Sequence, residues 1–186
     1  MPAFTGSCVC GFVKLVVCMD LPPAPRLEAG IPPPDGQVRP LEIYKCNCTR
    51  CHKFGFFHVR PSNPKTDFFL LSPLDPLAEL GDFQPVKHWF FCKTCGTRPF
   101  TFDGEGQVAE VDFGKMGDSV KHLGRQKVWR VKEYKYLSVN AHVIDGLQDG
   151  LDLRQWMEKN WIRYINALDP EGGNVRHEEP QAGGQY

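Results

Sequence analysis

Cys46-Asn47-Cys48-Thr49-Arg50-Cys51 sets three thiols within six residues, close enough to reach one metal ion. Outward from it, Cys8-Val9-Cys10-Gly11 lies upstream and Cys92-Lys93-Thr94-Cys95-Gly96 downstream, so that seven of the eight cysteines fall into three clusters. Zinc accepts thiolates at about 2.3 Å in a tetrahedron. A C-x-x-C turn aims two sulfurs at one ion, and the glycine after it accommodates the backbone reversal. C-x-C followed by Gly does the same in tighter form. Two such pairs from distant hairpins complete a closed four-cysteine site, which stitches a sheet together. The middle cluster has three thiols and leaves a fourth position open, as catalytic zinc sites do. Three thiolates on Zn²⁺ carry a net negative charge, which should keep an added sulfur ligand nucleophilic. The expectation is two zinc ions, one structural and one of catalytic type, although spacing alone does not say which pairs meet.

The even cysteine count also permits disulfides. Met1-Pro2-Ala3-Phe4-Thr5 lacks the basic and apolar regions of a secretory signal. The expected compartment is therefore reducing, the cytoplasm with the nucleus also open, where clustered cysteines bind metal more often than they pair. Cys18 stands apart and reads as a small core residue. His52, His58 and His88 are the candidates for a fourth ligand at the triad. At 186 residues and 41% apolar, the chain is long enough for one domain with its own core. No stretch is long enough to span a bilayer as a helix. The formal net charge is zero, which argues against a dedicated nucleic-acid binder.

Short apolar runs with turn signals between them predict a mainly β, antiparallel fold. Strands are expected at 12–18, 41–46, 54–59, 67–71 and 136–144. Two further pairs are expected, 77–80 with 86–91, and 100–102 with 108–113 around Asp103-Gly104. One C-terminal helix follows from the spacing of Leu153, Trp156, Met157, Asn160, Trp161, Tyr164, Ile165 and Leu168, with Asp152 as its cap. Prolines through 19–40 forbid regular structure, giving an exposed insertion. Segment 114–135 reads as a charged insertion. One zinc-binding domain thus covers 1–168, and 169–186 has the composition of a disordered tail.

Gly6-Ser7-Cys8-x-Cys10-Gly11, then Cys46-x-Cys48-x-x-Cys51 with Gly55 downstream, then Phe91-Cys92-x-x-Cys95-Gly96-Thr97-Arg98-Pro99-Phe100, resembles the glutathione-dependent formaldehyde-activating enzyme family, which also contains centromere protein V. The resemblance implies an Mss4-like β-tent. It also implies that Cys8, Cys10, Cys92 and Cys95 hold the structural zinc, while Cys46, Cys48 and Cys51 hold the second zinc beside the substrate. It further implies a carbon–sulfur lyase-type reaction, in which glutathione and formaldehyde give S-hydroxymethylglutathione. Arg50, His52, Lys53 and Arg98 flank the cysteines and could pair with the carboxylates of glutathione. Two other readings stand beside this one. The first is a zinc-stabilised module that binds protein or nucleic acid without catalysis, through a basic patch of Lys121, His122, Arg125, Lys127, Arg130 and Lys132. The second is a structural double-zinc domain with no pocket.

Overall fold

The computed structural model describes residues 1–24, 39–84, 87–169 and 175–184. Its strands, in chain order, are β1 (Ala3–Ser7), β2 (Lys14–Cys18), β3 (Glu42–Cys46), β4 (His58–Arg60), β5 (Phe68–Ser72), β6 (Gly81–Asp82), β7 (His88–Phe91), β8 (Phe100–Asp112), β9 (Arg125–Asn140), β10 (Arg163–Ile165) and β11 (Arg176–His177). They form one open sheet with the order β1-β2-β5-β9-β4-β3-β10-β11, from which β8, β7 and β6 branch at β9. Every pairing is antiparallel except β10 on β3, so the sheet is mixed. Among the described residues, four short helices decorate it: α1 (Thr49–Phe54), α2 (Pro64–Asp67), α3 (Pro76–Glu79) and α4 (Leu153–Glu158). The mainly β expectation holds.

The unbroken apolar runs of β2 and β5 have a simple cause, since both strands are covered on both faces. Leu15, Val17, Phe68 and Leu70 enter the main core with Phe4, Phe90, Phe100, Val139 and Trp156. Val16, Cys18 and Phe69 face a second core with Phe113, Val120 and Val128. Cys18 is thus the buried small residue its isolation suggested, and burial pushes its thiol up to about 12.

Several expected elements are corrected. Residues 100–102 and 108–113 do not pair with each other. Residues 100–102 and 108–112 both lie along β8, which pairs with β9 along its length and with β7 at its start. The glycines near position 104 mark bulges rather than a turn, with register shifts at Asp103/Gly104 and Glu105/Gly106. A side chain at Gly106 would collide with the indole of Trp129, which lies over that backbone. Segment 114–135 is no loose insertion. Two 3₁₀ turns (Phe113–Lys115 and Lys121–Leu123) lead into β9, which begins at Arg125. The late strand ends at Asn140, and Ala141–Val143 forms a 3₁₀ turn.

The expected helix from Asp152 to about residue 168 stops after Glu158, because Asn160 takes a left-handed φ of 53°. Arg163–Ile165 then turns into β10 against β3. Of the expected apolar stripe only Trp156 and Ile165 are buried, and Leu153, Met157 and Leu168 are exposed. Residues 77–80 lie largely in the α3 turn, capped by Asp75, rather than in a strand. Residues 54–59 are divided between the end of α1 and the start of β4. Within the tail, Arg176–His177 adds β11 to β10. Residues 25–38 of the proline-rich stretch, 85 and 86, and 170–174, 185 and 186 of the tail lie outside the described residues.

Candidate metal centres

Two cysteine groups assemble. Cys8, Cys10, Cys92 and Cys95 form one and Cys46, Cys48 and Cys51 the other, and within each group all sulfurs lie within 4.8 Å of one another. All eight cysteines are free thiols. In the four-cysteine group, Cys10 Sγ stands 3.5 Å from both Cys8 Sγ and Cys92 Sγ. Two sulfurs bound to one tetrahedral zinc are about 3.8 Å apart. The spacing therefore fits zinc and far exceeds the roughly 2.05 Å of a disulfide. Two cysteine clusters compatible with two metal ions are present, divided between chain segments as the motif resemblance implied.

The four-cysteine site is built from two glycine-ended turns, one closed between residues three apart and the other between residues four apart. The Gly11 N–H donates to Cys8 O at 2.9 Å, and the Gly96 N–H to Cys92 O at 2.8 Å. Both glycines are left-handed, with φ of 76° and 74°, a conformation that side chains resist. The Val13 N–H donates to Cys8 Sγ at 3.2 Å, and the Thr97 hydroxyl meets Cys95 Sγ at 3.2 Å. Against a desolvation cost, the Thr97 hydroxyl and N–H draw the Cys95 thiol down to about 5. Cys8 and Cys92 belong to the main core, so this centre anchors the loop after β1 to the turn between β7 and β8.

In the triad, Cys46 ends β3 and Cys48 caps α1. Cys48 Sγ accepts the Cys51 N–H at 3.4 Å, and Cys46 Sγ accepts the Cys48 N–H at 3.5 Å. The neighbouring thiols stabilise one shared thiolate. Hydrogen bonds with Cys46 and Cys51 pull Cys48 down, while hydrogen bonds with Cys46 and Cys48, together with burial, push Cys51 up. Asn47, 3% exposed, locks the knuckle in place. Its Oδ1 accepts the Ala167 N–H at 2.7 Å and its Nδ2 donates to Asn166 Oδ1 at 2.6 Å and Ala182 O at 3.1 Å. No family model, curated protein or solved structure matches this chain.

An aromatic wall surrounds the triad: Tyr44, Phe56 and Trp89 are buried with Cys46 and Cys51, and Phe54 packs against them. The Arg50 guanidinium lies 5.2 Å from the Trp89 ring and 5.6 Å from Phe83, and Arg98 sits 3.5 Å from Phe54. The structure thus brings Arg50 and Arg98 to this wall. His52 and Lys53 project from α1 as exposed side chains. Among the described residues, Trp89 Nε1 and Arg98 Nη1 are buried without a hydrogen-bond partner.

The three candidate histidines separate. His52 is exposed. His88 Nδ1 is engaged by Asp82 Oδ2 at 2.6 Å. His58, 2% exposed, stands against the triad with Nε2 3.1 Å from Cys51 Sγ. Burial and the nearby Lys87 charge press its pKa down to about 3. Tyr44, Tyr136 and Lys87 around it are residues the sequence did not single out. They come from three separate strands or turns, and only the fold brings them together.

Most side chains of the basic patch have partners. Lys121 pairs with Asp118, Arg125 with Asp112 and Lys132 with Glu105, and Arg130 donates to Lys65 O. Lys127 faces Glu110 across the β8–β9 ladder. Among the described residues no helix is long and apolar enough to cross a membrane.

Proposed function

We propose that the chain is a zinc protein of the Mss4-like β-tent type whose Cys46/Cys48/Cys51 centre acts on carbon–sulfur bonds. It would join a thiol such as glutathione to a small aldehyde such as formaldehyde, or split the adduct. The observation that carries this reading is the triad itself. Three sulfurs gather, and among the described residues no fourth sulfur, imidazole or carboxylate completes the group. Motif resemblance across all three clusters supports the choice of reaction. A cytoplasmic or nuclear setting, rich in reduced thiols, suits it.

Zinc held by the three thiolates would lower the pKa of an incoming thiol. The chain's own residues account for the rest. Arg50 and Arg98 offer cations on an aromatic floor, suited to carboxylates of a small peptide. Trp89 Nε1 offers a buried N–H. Exposed His52 and Lys53 are placed for outer contacts only. In the forward direction the thiol loses its proton, the sulfur–carbon bond forms, the carbonyl π bond opens and its oxygen takes up a proton. Holding both reactants in one orientation is the main advantage available, because that addition needs no redox partner.

Calorimetric titration of the zinc-loaded protein with glutathione, together with exchange NMR on ¹³C-formaldehyde and glutathione, tests the reading. Saturable binding and faster exchange, both lost in Arg50→Ala with Arg98→Ala, are expected. Neither binding nor acceleration would end it.

A further inference from the structure

We infer that His58 is a positioning residue for the triad, donating its Nε2–H to the Cys51 thiolate rather than binding metal itself. The inference rests on the reading that Cys46, Cys48 and Cys51 hold a metal. Three observations lead to it. First, Nε2 stands 3.1 Å from Cys51 Sγ. A sulfur and an imidazole nitrogen sharing one tetrahedral zinc would be about 3.6 Å apart. The contact is thus a hydrogen bond between neighbours. Second, the compact ligand group comprises the three sulfurs and leaves His58 out. Third, the ring is fixed in place. It stacks on Tyr44, with centroids 4.4 Å apart and planes at 6°, and sits edge-on to Trp89.

Proton accounting then sets the tautomer. A metal-bound cysteine is a thiolate and can only accept a hydrogen bond. Nε2 must therefore carry the proton. A neutral imidazole has one N–H, so Nδ1 presents a lone pair. Ser138 Oγ, fully buried, stands 2.9 Å from Nδ1 and supplies the donor. The alternative acceptor for that hydroxyl, Val59 O, is farther away at 3.4 Å. Tyr136 O–H, paired with Tyr44 O–H at 2.6 Å, stands 3.4 Å from the same Nδ1. A relay from Ser138 through His58 thus ends on one of the three sulfurs. A donor to a thiolate withdraws charge from it, trims its basicity and fixes its direction. His58 therefore makes the triad asymmetric: Cys51 meets an imidazole N–H, whereas Cys46 and Cys48 each accept a backbone N–H.

The test compares His58→Phe, which keeps a ring without a donor, with His58→Gln, which restores an N–H. Metal stoichiometry by native mass spectrometry comes first. A wild-type protein that takes up a single zinc overturns the metal reading beneath the inference. With two zinc ions bound, chelator competition should show the triad of His58→Phe weakened about 10–100-fold. His58→Gln should recover most of the loss, and the four-cysteine site should be unchanged. In cobalt-loaded protein the sulfur-to-cobalt band of the triad should shift in His58→Phe and return in His58→Gln. Unchanged affinity and an unshifted band in a folded His58→Phe protein overturn the inference. Should the variants not fold, wild-type protein decides. Long-range ¹H–¹⁵N correlations on cadmium-113-loaded protein should place the proton on Nε2 with no cadmium coupling to the ring. Coupling, or a proton on Nδ1, overturns the inference.

Discussion

Asn47 shows how much a single spacer residue can do. It looks like filler between two cysteines, yet its side-chain amide uses both ends to tie the triad to the 166–168 segment and to Ala182 in the tail. Asn47→Ala is expected to lower the stability of the metal-loaded protein by about 1–3 kcal/mol, read by chemical denaturation, because buried partners lose bonds that alanine cannot replace. It should also loosen the triad metal without touching the other site. The cysteines themselves divide by burial. Cys92 is sealed in the main core, while Cys48 sits half-buried at the helix cap. Cys92→Ser should therefore abolish cooperative unfolding by circular dichroism together with loss of one zinc. Cys48→Ser should lose the other zinc and keep the β spectrum. Equal damage from both would show that the triad is as structural as the tetrad. The three cysteine clusters were legible in the sequence because ligand spacing is local, whereas the joining of the outer two came only from the motif resemblance. His58 was legible only as one of three histidines, since what distinguishes it is the approach of β4 to Ser138 on β9.

The β8–β9 hairpin is the element least legible in advance. Its strands run 13 and 16 residues, but bulges near Gly104 and Gly106 break the alternation that a strand reading depends on. The charged residues of β9 alternate on a half-exposed ribbon, a pattern that also suits a solvated loop. The C-terminal helix failed for the opposite reason. Its periodicity was real for six residues, and beyond them Tyr164 and Ile165 serve a parallel strand. The hairpin depends on the indole that crosses Gly106, and Trp129 also meets Phe68, Phe100 and Phe102 at centroid distances of 6.4, 6.3 and 5.2 Å. Trp129→Ala should cost about 3–5 kcal/mol, as expected for a large core truncation. Gly106→Ala should cost about 1–3 kcal/mol through displacement of that ring. The double variant should cost less than the sum, because both changes act on one contact. Additive losses would separate the two positions.

At the scale of the molecule, the two centres sit in different mechanical settings, and metal removal should expose that. The tetrad joins the loop after β1 to the turn between β7 and β8, segments more than 80 residues apart in sequence. The triad is contained within β3 and α1, a local knuckle that Asn47 and the aromatic wall hold from outside. A chelator titration should therefore proceed in two stages. The triad metal, held by three protein sulfurs, should leave first, with little change in circular dichroism. The tetrad metal should leave second, with loss of the sheet, because its binding energy is also folding energy. Acid should act in the same order and direction. Protons compete with metal for every thiolate, so affinity falls as pH falls, and the site with four thiolates releases its ion more steeply once protonation begins. Zinc release followed with a colorimetric indicator between neutral pH and pH about 4 reads both steps. A single release coinciding with unfolding would mean that the triad, too, is part of the scaffold.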